Sequence, residues 1–167
     1  MVDSGSPHAT AGAILAALDA RRWSDVATCC AELPLAEIRD SAVRFIEALH
    51  QHQATLPDTF DASAALRDYG DDLADAAALQ ALSPRAFFTR YLSRPETTVR
   101  GAGPRTIYEV SVAGEEAVVR YRRPGAHTEE LMLVRSAGEW QAVPNGDNLA
   151  AVRLSDALWR RRFKAGT

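Results

Sequence analysis

Hydrophobic positions in this chain change period near its middle. Up to about Leu92 they recur every three or four residues, the spacing of one helix face. From Arg105 to Val143 they alternate every second residue between glycine turns, the spacing of strands. Helices followed by a meander predict an α+β domain, with N-terminal helices packed on one face of an antiparallel sheet.

In the helical half, residues 1–9 contain Gly5, Ser6 and Pro7 and are expected to form a flexible tail. Thr10 is the expected cap of a first helix through Ala20, with Ile14, Leu15 and Leu18 on its apolar side. Ser24 then caps a second, short helix through Leu33, and Pro34 suits the first turn of a third, about Pro34 to Gln53. Leu35, Ile38, Ala42, Phe45, Ile46 and Leu49 share one face of that third helix. His52 continues the stripe, and His50 falls to its side. Pro57 and Asp58 interrupt the pattern. Ala62 to Leu82 reads either as one helix or as two short ones meeting near Gly70. Ser83-Pro84 starts a last helix carrying Phe87, Phe88, Tyr91 and Leu92.

In the sheet half, Tyr108, Val110 and Val112 alternate with Glu109 and Ser111, and Ala117, Val119 and Tyr121 with Val118, Arg120 and Arg122. A two-residue Gly114-Glu115 turn would pair Val110 with Val119 and Tyr108 with Tyr121, putting both apolar sets on one face. Pro124-Gly125 marks a second reversal. Leu131 to Val134 is apolar throughout, which predicts a strand covered on both faces. A turn at Ala137-Gly138 pairs Leu133 with Ala142 and Arg135 with Trp140, the latter two expected to stack at an exposed edge or interface. Thr97 to Gly101 is a weaker strand candidate. Leu149, Val152, Trp159 and Phe163 predict an additional amphipathic C-terminal helix.

A length of 167 residues suits one domain, taken as residues 10–146, with residues 147–167 as a helix packed on it or on a partner. Charge adds an asymmetry: residues 1–83 carry 5 basic and 13 acidic side chains, residues 84–167 carry 14 and 9. Attraction between the halves, or an anion-binding rim, explains it better than a nucleic-acid surface, which needs a denser basic stripe with interleaved aromatics. No apolar run reaches the roughly 18 to 20 residues that span a bilayer. Met1 to Ala11 lacks the basic start and apolar core of a signal peptide, so a cytoplasmic location is expected. The only cysteines, Cys29 and Cys30, are adjacent, a poor geometry for a disulfide and without a histidine at zinc-ligand spacing. Buried thiols are the expectation, and no metal. No phosphate loop, dinucleotide fingerprint, nucleophile elbow or His-Glu-x-x-His motif occurs, so no cofactor is expected.

The order of elements resembles the nuclear-transport-factor-2-like superfamily, which includes ketosteroid isomerases and SnoaL-like polyketide cyclases. The residues carrying the resemblance are ALDARRWSDVA (Ala17 to Ala27), LSPRAFFTRYL (Leu82 to Leu92), EEAVVRYRR (Glu115 to Arg123) and LVRSAGEWQAV (Leu133 to Val143). They are most similar in pattern to uncharacterised small bacterial members, over about residues 11–145. The resemblance implies a curved sheet wrapped around helices, a cone with a pocket at its wide end. It implies no single reaction, because members serve as enzymes of several kinds and as binding or dimerisation modules. The expected function is therefore a small-molecule or protein-binding module, taking a small apolar ligand or pairing as a homodimer through the outer sheet face. The alternative is a cofactor-free isomerase or cyclase using His52, Asp19 or Asp40 as base with tyrosines as donors. Tyr91, Tyr108 and Tyr121 are the ligand-binding candidates, and His52 the catalytic one.

Overall fold

A computed structural model of the chain describes residues 5–52, 75–93 and 103–144. Its first helix, α1 (Pro7–Asp19), starts earlier than expected. Ser6 rather than Thr10 is the cap: its Oγ accepts from the Ala9 N–H at 3.1 Å, and Pro7 occupies the first turn, where a missing N–H has no consequence. Residues 7–9, assigned by sequence to a flexible tail, belong instead to the first turn of α1. The helix closes with Arg21 at φ 54°, a left-handed position more often taken by glycine, and Arg22 N–H donates to Ala17 O at 2.8 Å.

The second helix, α2 (Trp23–Thr28), contains Ser24 instead of being capped by it, and it stops well short of Leu33. Tertiary pairing ends it. Ala31 N–H donates to Ala142 O and Ala142 N–H to Cys29 O, both at 2.8 Å, forming a parallel bridge between Cys30 and Ala142. Backbone groups that would have continued the helix satisfy the sheet's last strand instead.

Helix α3 (Glu32–His52) carries Pro34 in its first turn and buries all six residues of its stripe, Leu35, Ile38, Ala42, Phe45, Ile46 and Leu49. Against it pack α4 (Ala76–Ala81), capped by Asp75, and α5 (Pro84–Leu92). As expected, Ser83 caps α5, with its Oγ accepting from Ala86 N–H at 3.2 Å. Of the segment Ala62 to Leu82, only the portion from Asp75 is described. The strand expected around Thr97 and the C-terminal helix lie outside the described residues.

Four strands form one antiparallel sheet in the order β1 (Thr106–Ala113), β2 (Glu116–Arg122), β3 (Glu129–Ser136), β4 (Glu139–Val143). Val110 pairs with Val119, Leu133 with Ala142 and Arg135 with Trp140, as the turns predict. One pairing differs. A bulge at Tyr108 brings Ile107 opposite Tyr121 and leaves Tyr108 as the extra residue, 48% exposed. Ile107 takes the inward place that alternation assigned to Tyr108, and packs against the core.

Helix α1 lies across the inner face of the sheet, with α2 and α5 beside each other. Ala117, Val119, Tyr121, Leu133, Trp140 and Ala142 are buried on that face. Trp140, expected at an exposed edge or interface, is therefore a core residue. The outer face stays exposed at Glu109, Arg122 and Met132, so the apolar run Leu131 to Val134 is not covered on both sides by the described elements. The molecule is α+β, with its described helices against one face of an antiparallel sheet.

Candidate functional site

A cavity of about 560 Å³ lies between the helices and the inner face. Leu18 of α1, Phe88 and Leu92 of α5, and Leu131 of β3 make much of its wall, and the buried thiol of Cys30 reaches it from the end of α2. These residues face inward for ordinary reasons of period. Phe88 and Leu92 are four apart on one helix face, and Leu131 has the same strand parity as buried Leu133. Polar lining is confined to one end, where Tyr121, Thr128, Glu129 and Glu130 meet.

Tyr121 organises that end. It sits opposite Glu129 in the β2–β3 ladder, and its phenol donates a hydrogen bond to the Glu129 carboxylate. Burial pushes the phenol's pKa well up, the Glu129 contact adds to the rise, and the nearby Arg105 and Arg123 guanidiniums oppose it. Tyr121 is thus a neutral donor throughout the physiological range. Glu130 belongs to the outer face, where it accepts from Arg120 Nε at 2.8 Å.

Behind Tyr121, Asp19 at the C-terminal end of α1 gathers two arginines. Its carboxylate accepts from the Arg105 backbone N–H at 3.0 Å, from the Arg105 guanidinium, and from Arg123 at 3.1 Å. A carboxylate is unfavourable at a helix C-terminus, and the two cations reverse that penalty. The Arg105 and Arg123 side chains are only 9% and 7% exposed, and Arg105 Nε is buried without a hydrogen-bond partner. The cluster ties α1 to the start of β1 and the end of β2.

No family model, curated protein or solved structure matches this chain. The site is read from its geometry alone.

That geometry separates the residues singled out by sequence. Tyr121 lines the cavity. Tyr108 does not: the bulge turns it outward, where its hydroxyl donates to Thr128 Oγ1 at 2.9 Å and the Arg122 guanidinium lies 5.6 Å from its ring centre. Tyr91 is half-buried and stacks on Phe88 at 6.3 Å between centroids, outside the lining. His52 ends α3, but its side chain lies outside the described residues. His50 is exposed on the same helix, and His8 and His127 are exposed as well. Asp19, a candidate base in the enzymatic alternative, is an ion-pair anchor outside the cavity lining. Asp40 accepts from Arg39 at 2.8 and 2.9 Å.

Glu129 is the functional candidate that sequence reasoning missed. Its signal was the β2–β3 register across the Pro124-Gly125 turn, which sets Glu129 opposite Tyr121. The two cysteines part company. Cys30 donates from Sγ to Val26 O at 3.2 Å and faces the main cavity, while Cys29 lines a second recess of about 370 Å³ with Thr28, Glu139 and Trp140. Burial, then the adjacent Cys29, pushes the Cys30 thiol up to about 12. Among the described residues, no group of three His, Cys, Asp or Glu side chains is placed to hold a metal, and no helix is long and apolar enough to cross a membrane.

Proposed function

We propose that this chain is a binding module of the nuclear-transport-factor-2-like type, which takes a small apolar ligand into the cavity between α1, α5 and the inner sheet face. The carrying observation is the cavity itself: about 560 Å³, walled by Leu18, Phe88, Leu92 and Leu131, with polar groups at one end only. That size and that division of polarity are those of sites that bury a small molecule and orient it with few contacts. Helices on one face of a four-stranded antiparallel sheet support the cone architecture. Exposed Met132 and half-buried Val118, cross-strand neighbours on the outer face, support pairing of two copies there.

Binding is favoured over the enzymatic alternative by the state of the carboxylates considered for it. Asp19, paired with Arg105 and Arg123, and Asp40, paired with Arg39, both lie outside the cavity lining. Titration with the neutral dye Nile red tests the reading. Saturable fluorescence enhancement is expected for the full chain, and at least tenfold weaker binding for Leu18→Trp, whose larger ring intrudes from the apolar wall. Equal binding by the two proteins, with unchanged circular dichroism, would refute the cavity as the site.

A further inference from the structure

The polar end of the cavity is not neutral in what it offers a ligand. Its charged lining consists of Glu129 and Glu130, and Glu130 is already engaged by Arg120 on the outer face. Among the described residues Glu129 has no ion-pair partner. Its carboxylate accepts from the phenol of Tyr121, a neutral donor. With its proton spent on Glu129, the Tyr121 oxygen presents only lone pairs, and a carboxylate presents nothing else. The two nearby guanidiniums, Arg105 and Arg123, are absent from the lining and are bound to Asp19. An anionic head placed here would meet a carboxylate with no cation between them. A head that only donates would meet two acceptors, one of them the charged Glu129 carboxylate.

We infer that the ligand is a hydrophobic amine, an apolar body carrying one protonated ammonium group, with the ammonium held by Glu129 and the Tyr121 oxygen. The inference rests on the cavity being a binding site, and it names the class of ligand. An ammonium brings three donors and no acceptor, the complement of what Tyr121 and Glu129 offer, and its bonds to a carboxylate are charge-assisted. Leu18, Phe88, Leu92 and Leu131 take the apolar body. A carboxylate-headed molecule of the same length gains the same apolar burial and loses the head interaction, so head charge becomes the discriminating feature.

Calorimetric titration of the full chain with decylamine, decanol and decanoate at neutral pH, below their aggregation concentrations, separates body from head. Decylamine is expected to bind about tenfold tighter than decanol, and decanoate weakest of the three. Glu129→Gln should abolish the preference for decylamine over decanol. Glu116→Gln, which removes the same charge from an exposed site away from the cavity, should preserve the preference. Decanoate binding as tightly as decylamine, or an amine preference that survives Glu129→Gln, would overturn the inference and leave the cavity reading standing. Failure of all three molecules to bind would overturn both.

Discussion

Two arginine–carboxylate clusters lie on either side of strand β2. On the outer face, Arg120 bridges Glu109 and Glu130 at 2.9 and 2.8 Å, all three side chains more than 40% exposed. At the inner end, Asp19 bridges Arg105 and Arg123, whose side chains are less than a tenth exposed. Each is a trio of opposite charges, yet their consequences differ. The outer trio lowers the Glu109 carboxyl below its usual value, chiefly through the Arg120 hydrogen bond, and raises Arg120, but water and salt screen it. In the inner trio two largely buried cations share one anion, so losing that anion removes the charge that holds them together. Burial, more than the number of charged groups, decides which cluster organises the molecule.

Removing the central group of each cluster is the strongest way to break this contrast. Asp19→Ala should destabilise the protein by about 3 kcal/mol, because the two buried guanidiniums lose the carboxylate they share. Arg120→Ala should leave the urea midpoint essentially unchanged. Similar midpoints for the two variants would mean that the inner trio is as solvent-screened as the outer one.

The cysteines carry the same inside–outside contrast into pH dependence. A thiol in the unfolded chain ionises near 9.0, while Cys30 in the folded protein keeps its proton up to about 12. Above pH 9 the unfolded state therefore binds fewer protons than the native state, and stability falls as pH rises through this window. One such group contributes a slope of up to about 1.4 kcal/mol per pH unit. Cys29, half-buried, is raised by burial and then by Asp25. Urea unfolding of wild type and Cys30→Ala on both sides of pH 9 should show a shallower alkaline loss in the variant. Parallel profiles would contradict the burial of this thiol.

Local rules reached some parts of this molecule and missed others. The α3 stripe from Leu35 to Leu49, the Ser83-Pro84 start of α5 and the pairing of Val110 with Val119 each depend on residues close in sequence. The start of α1 was equally local, and Ser6-Pro7 is a stronger signal than Thr10. The bulge at Tyr108 has no turn residue to announce it, and it decided which aromatic side chain faces out. The end of α2 depends on Ala142, more than a hundred residues away. The site divides in the same manner. Tyr121 was legible from alternation, whereas Glu129 required the β2–β3 register and Asp19 required partners brought from β1 and β2 by the fold.

The contrast between the two faces meets the functional account most directly in the place where a ligand settles. Backbone amide shifts of the full chain, followed by NMR during addition of decanol, read that place without any assumption about the head group. The account predicts that shifts concentrate at Leu18, Phe88, Leu92, Tyr121 and Leu131, the helices and inner sheet face around the cavity. Shifts gathered instead at Val118 and Met132, with the cavity residues unmoved, would place the ligand on the outer face and contradict it.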